Sequence, residues 1–379
     1  MSDSSTLTRV LRHPVRSEEA KESSALLIGA AALVIGTVIG LLVFWDRDVP
    51  ISGRGSVGIY AAVGGALAAI VAFVTGCMVR RSRARAVPGY RQRLHWFDVA
   101  ALALALGVIA LLGWTGLASL LGESFVGALV YGVPAAILGG VAMAISAYMS
   151  YLTAVNLTPM LLSLVLAMFL AVGALASMLS ATDPLWWQKN LSTLGISDDI
   201  SALAFNVTLI IAGVMVTTIA HYATAFLPAD SAGERRGRNL VRFGLIVIGI
   251  LLACVGIFPV DEYLGAHNLS ATGMAIVYVA MVLSLPALLP TMPKVFVMLG
   301  YVYVGVIVVL AAFFISGYYN LTAVELVVAV LVFSWVIVFL RNTGAVEAGP
   351  DDTHNDTHDD THDDTHDDAQ VVTRTGTVP

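Results

Sequence analysis

Charge is what this chain has least of. Only 12% of its 379 residues are Asp, Glu, Lys or Arg, about half the share of an ordinary soluble domain, while 58% are hydrophobic and the mean hydropathy is +0.85. A cytosolic enzyme is excluded on that balance, and so is a nucleic-acid binder. Cysteine is also scarce: Cys77 and Cys254 fall in different apolar segments and at different depths, so no disulfide framework is open to them. No HExxH, GxSxG or P-loop occurs, which leaves zincin, lipase and ATPase chemistry without a recognisable motif. The apolar runs lack the period-two alternation of outer-membrane strands, and a β-barrel is excluded with it.

What is present is a series of apolar runs long enough to cross a bilayer, which takes about 20 residues. Ten fit, at residues 25–45, 57–79, 99–121, 125–149, 159–181, 200–222, 243–258, 271–289, 295–316 and 321–340. The expected fold is therefore an all-α, polytopic transmembrane helix bundle. Within the spans ionisable groups are nearly missing: Glu325 and His221 lie near span ends, with Asn206 the main amide between. An ion-coupled transporter usually places charge near the midplane, so that class is disfavoured, while a lipid translocator with an apolar path stays open.

Orientation follows from the cations. With the N-terminus in the cytoplasm, 17 of the 20 Lys and Arg fall inside, and only Arg47, Arg54 and Lys189 fall outside. Both termini are thus expected to be cytoplasmic, in a plasma or inner membrane. The first span has a long polar leader with Glu18, Glu19 and Glu22, and reads as a retained anchor rather than a cleaved signal.

The chain divides into a cytoplasmic segment (1–23), a four-helix block (24–150), a six-helix block (151–341) and a tail (342–379). Nine Asp and one Arg follow Pro350, so the net charge of −6 conceals a membrane body of +2. The arginine-rich stretch from Arg80 to Arg93 reads first as a topology determinant, with anionic-lipid binding as its functional alternative. Gly36 and Gly40 form a GxxxG pattern that lets another helix approach the first span closely. Pro134 and Pro286, inside spans, predict kinks.

Polar residues gather in the outer connections of spans five to eight. The first contains Asp183, the interface-seeking pair Trp186 and Trp187, Lys189 and Ser192; the second contains Pro259, Asp261, Glu262 and His267. Asp261, Glu262 and His267 can relay protons, bind a divalent metal or hold a lipid headgroup, although their spacing fits no strong zinc signature; capping of helix ends is the plain alternative. The two connections are expected to meet, bringing Ser192, Asp261 and His267 together. In the tail, His354, His358, His362 and His366 recur every four residues among Asp; a disordered, solvated repeat is the simpler expectation, with divalent-metal binding the alternative.

Ser-x-Leu-Gly at 192–195, Gly-x-Phe-Pro-x-Asp at 256–261, then His267 and Ala271, resemble a bacterial multi-pass membrane family of unknown function, itself distantly similar to the Frag/DRAM/Sfk group. The match covers about residues 159–341. It implies a six-helix unit, with the first four helices and the His-Asp tail as additions. Eukaryotic relatives of that group are linked to lipid-anchor remodelling, phosphoinositide regulation and autophagy, without a shared catalytic mechanism.

The expected function is a non-enzymatic membrane protein that engages lipid or an envelope protein through the outer face of spans five to eight. Its ligand-binding candidates are Ser192, Asp261, Glu262, His267, Trp186 and Trp187. The alternatives are a lipid-modifying enzyme using Asp261 and His267, and a permease or lipid translocator. No cofactor is expected beyond metal on the tail.

Overall fold

The structure, a computed structural model, describes residues 18–84, 95–196, 200–225, 227 and 230–345. Its long helices are α1 (Glu18–Val43), α2 (Val57–Ala84), α3 (Trp96–Ser124), α4 (Gly132–Val155) and α5 (Pro159–Ser180), followed by α6 (Ile200–Thr224), α7 (Ala232–Ile257), α8 (Leu264–Leu288), α9 (Lys294–Ile315) and α10 (Leu321–Ala345). All ten are long and apolar enough to cross a membrane. Each satisfies its backbone internally, as a span without water must. Large apolar side chains also cover the outside, with Leu42 74%, Leu179 85% and Ile315 83% exposed. Soluble proteins keep such patches to a few hundred Å². The chain is a multi-pass α-helical membrane protein.

Four helix starts differ from the sequence expectation: the first and eighth spans each begin seven residues earlier, at Glu18 and Leu264, and the fourth and seventh differ for reasons visible in the structure. The fourth span begins at Gly132, not at residue 125. Residues before it instead turn through Gly127 at φ 76° and form a short antiparallel pair, β1 (Val49–Pro50) with β2 (Leu129–Val130). Pro134 consequently sits in the first turn of α4, where its missing N–H was never needed, and the kink expected there has no cause. Pro286 does lie inside a helix, in the last turn of α8. The seventh span, the shortest apolar run in the sequence and one open to a start before Phe243 with Arg242 at the interface, begins at Ala232. Ser231 caps it by accepting from Glu234 N at 3.1 Å, while the Glu234 carboxylate accepts from Ser231 N at 3.1 Å. Its first turns carry Arg235, Arg236, Arg238 and Arg242 on a helix whose Gly237 and Val241 are buried, and Arg242 Nε donates to Thr224 Oγ1 of α6 at 2.7 Å.

In the first block α4 packs between α1 and α2. The GxxxG pattern finds its partner there. A Cβ added at Gly40 would lie 2.7 Å from Ala136 Cα, and one at Gly36 would lie 3.0 Å from Gly140 Cα. Tyr60 on α2 donates its hydroxyl to Gly36 O at 2.5 Å, tying the third helix in. In the second block α7 packs between α6 and α8. A Cβ at Gly213 would lie 2.6 Å from Ala253 N, so α6 and α7 also meet backbone to backbone. Trp335 of α10, fully buried, stacks on Phe296 and Phe339 at 5.1 and 5.7 Å and meets Tyr278 edge-on at 5.5 Å. The blocks share one core in which Phe73, Val99 and Leu102 join Leu166, Phe169 and Met215. Thr218 of α6 also donates to Asp98 Oδ1 of α3 at 2.9 Å.

Consecutive helices run in opposite directions, and cross-contacts show which ends meet. The β1–β2 pair joins the α1–α2 and α3–α4 connections, and Asn320 Nδ2 donates to Trp187 O, joining α9–α10 to α5–α6. We call this end of the bundle the loop face and the other the arginine face. The cations Arg9, Arg12, Arg16, Arg85, Arg91, Arg93 and Arg374 lie outside the described residues.

Candidate functional site

The α5–α6 connection folds before it packs. Asp183 starts it: its Oδ1 accepts from Leu185 N at 2.9 Å and its Oδ2 from Lys189 Nζ at 3.1 Å. The Leu185 amide, and after it the Lys189 ammonium, hold the Asp183 carboxyl below its ordinary value. Two short 3-10 turns follow, Trp186–Gln188 and Leu191–Gly195. Asn190 stands at the start of the second, its Oδ1 accepting from Ser192 Oγ at 3.0 Å and Thr193 Oγ1 at 2.7 Å. Trp187 is half exposed, while Trp186 is partly covered.

The folded loop is then fastened to the bundle. Asn320 Nδ2, just before α10, donates to Trp187 O at 3.0 Å, and Glu325 Oε2, within α10, accepts from Leu191 N at 2.5 Å. On the other side Asn206 Nδ2 of α6 donates to Gly195 O at 3.0 Å. Gly195 allows a close approach, since a Cβ there would lie 2.5 Å from Asn206 Oδ1 and 3.0 Å from Phe205 Cδ1 and would displace the amide that bonds Gly195 O. Gly256, at the end of α7, presses on the same residue: a Cβ there would lie 2.6 Å from Asn206 O. Both glycines of the sequence motifs therefore lie in close approach to Asn206.

The α7–α8 connection is closed by His267, which the structure places in the first turn of α8 and not in the connection itself. His267 is buried, and its Nδ1 lies 2.8 Å from Phe258 O, the residue at which α7 ends. A carbonyl only accepts, so Nδ1 carries the proton in this bond. Tyr263 N donates to Pro259 O at 2.9 Å, and the Tyr263 and Phe258 rings meet edge-on at 5.7 Å. Asp261 and Glu262 are exposed, with no hydrogen-bond partner among the described residues. Ser192 is buried and bonds within its own loop. The two connections thus share the loop face and Asn206, but no hydrogen bond joins Ser192, Asp261 and His267 to one another.

Beneath the tryptophan loop lies a cavity of about 350 Å³. Its walls are Ala171 and Ala174 of α5, Phe205 and Leu209 of α6, and Ala329 and Phe333 of α10; Leu191 and Leu194 of the loop close its end. Thr208 and Ser334 are the polar residues in the lining, and Ser334 Oγ donates to Leu331 O of its own helix. In the sequence Asn206 and Glu325 are isolated polar groups with no visible partner. Their isolation in apolar segments was the available signal, since a polar group buried there has to have a partner.

Among the described residues no group of three or more His, Cys, Asp or Glu is placed to hold a metal ion. His354, His358, His362 and His366 lie outside the described residues.

Fold and site together define a multispanning membrane protein with a fastened aromatic loop over an apolar cavity. Among known proteins, no family model, no curated protein and no solved structure matches the chain.

Proposed function

We propose that this protein engages membrane lipid through the loop face of its second helical block, as a non-enzymatic component of a plasma or inner membrane with both termini cytoplasmic. The observation that carries the reading is the tryptophan loop itself. Its polar backbone is turned inward onto Asn320, Glu325 and Asn206, which leaves Trp187 half exposed at the bundle's end. An indole ring is most stable at the headgroup level, where its body is apolar and its N–H is wet. The cation distribution supports assigning this face to the outside, and the resemblance to the Frag/DRAM/Sfk group is in keeping with a lipid-related role. His267 bonds a helix-end carbonyl and Asp261 faces outward without joining it, which supports a locking role for the histidine over an Asp–His acid–base pair.

The test is quenching of tryptophan fluorescence in reconstituted protein, comparing the wild type with a Trp186→Phe/Trp187→Phe double variant. The difference signal should be quenched by lipids brominated near the headgroup end of their chains. Quenching by aqueous iodide alone would overturn the reading.

A further inference from the structure

We infer that the cavity between α5, α6 and α10 holds a single acyl chain of a membrane lipid, lying along the helices with Leu191 and Leu194 closing its end at the loop face. This deepens the lipid-engaging reading and rests on it, adding the class of occupant and its place.

Shape argues first. The lining runs from Ala167 to Met178 on α5 and from Leu326 to Ile337 on α10, about 16 Å of helical rise on each. The cavity is therefore elongated along the helix axes, the shape an extended hydrocarbon chain takes when it lies parallel to the spans.

Chemistry argues the same way. The walls are alanine, leucine, valine, isoleucine, methionine and phenylalanine apart from Thr208 and Ser334, and Ser334 is already bonded within its helix. A water molecule needs two to four polar partners, so the site does not suit water or a polar metabolite. Left unfilled, the lining would forfeit dispersion contacts along its whole length.

Location supplies the occupant. The three walls are all membrane-spanning helices, so the apolar molecules at hand are lipid chains, and the channel runs parallel to them. It reaches from the loop face to roughly half the depth of a hydrocarbon core of about 30 Å, which matches a chain from the leaflet on that side. Gln188, Lys189 and Asn190 immediately precede Leu191, at the level where that lipid's headgroup would sit.

The experiment uses the full chain in vesicles of ordinary phosphatidylcholine containing a trace of the same lipid with a diazirine midway along one chain. After photolysis, adducts are mapped by peptide. Adducts are expected on Ala171, Ala174, Ala329 and Phe333, and should be lost in Ala329→Trp, which fills the channel. Labelling of the exposed Val302 on α9 should persist in that variant as the bulk-lipid control. If Ala329→Trp lowers the unfolding temperature, Ala171→Phe on the facing wall fills the same space. Adducts on the loop and α9 but never on the cavity walls would overturn the acyl-chain site and leave the lipid-engaging reading standing. Adducts on α9 alone would overturn both.

Discussion

Glu325→Ala should release the tryptophan loop without unfolding the bundle. The Glu325 carboxyl reaches across 134 positions of sequence to accept the Leu191 amide at 2.5 Å. Hydrogen bonds of this kind contribute about 1–3 kcal/mol, the range spanning neutral and charged acceptors. A partly buried N–H that loses its acceptor forfeits about the same amount. Asn320 and Asn206 still hold the loop at Trp187 and Gly195, so the loss falls on the second 3-10 turn. A change of 2 kcal/mol in the closed-to-open balance corresponds to about a thirtyfold rise in the open fraction. Hydrogen–deuterium exchange in nanodiscs reads this directly, because the Leu191 amide is the donor and its exchange tracks local opening. Peptides covering Leu191–Gly195 should exchange ten- to a hundredfold faster, roughly, in Glu325→Ala. Glu325→Gln, which keeps an acceptor oxygen, should recover most of the protection. Peptides from α1 to α4 should not change. Unaltered exchange at Leu191 in the alanine variant would refute the reasoning, since the carboxyl would then not be what holds the turn.

Three further outcomes follow from the same geometry. Gly40→Leu should lower the unfolding temperature in detergent by forcing α1 off α4, an overpacking cost of about 1–3 kcal/mol, whereas Gly113→Leu, with nothing within 4 Å of its Cβ, should be neutral; equal behaviour of the two would contradict the α1–α4 crossing. Asp183 has its carboxyl held low in the folded loop, so its contribution is complete above the ordinary aspartate value of about 3.9 and fades only as pH falls through the lower folded value. Loop exchange rates, corrected for intrinsic pH effects, should therefore be flat across neutral pH; loosening already near pH ~6 would point to another group. In a background lacking Cys77 and Cys254, a cysteine at Gly265 should react with an impermeant thiol reagent in intact cells and one at Gly233 should not; the reverse pattern would invert the proposed orientation.

The spans were legible because a 20-residue apolar run is a statement about composition, and composition is local. Their ends were less so. Residues 125–131 are as apolar as a helix start, and only the pairing of Leu129–Val130 with Val49–Pro50, far away in sequence, takes them out of α4. The short apolar run of α7 allowed a start before Phe243, but how far before was hidden for the opposite reason: four arginines look like a loop until Gly237 and Val241 bury one side of them. GxxxG announced a close helix contact, but choosing α4 as the partner is a tertiary decision. The tryptophan loop and the Gly256 motif were readable from residue type. What fastens them was not, because Asn206 and Glu325 bond to backbone groups, which leave no mark in the sequence. The cavity is invisible for a similar reason, being the space left between three ordinary apolar faces.

Lipid engagement is tested most directly by native mass spectrometry of the full-length protein, extracted with its surrounding membrane and then stripped by detergent exchange. The account predicts a population carrying one phospholipid, retained after bulk lipid is gone and diminished in the Trp186→Phe/Trp187→Phe variant. A bare chain as the sole species from the mildest extraction onward would contradict it.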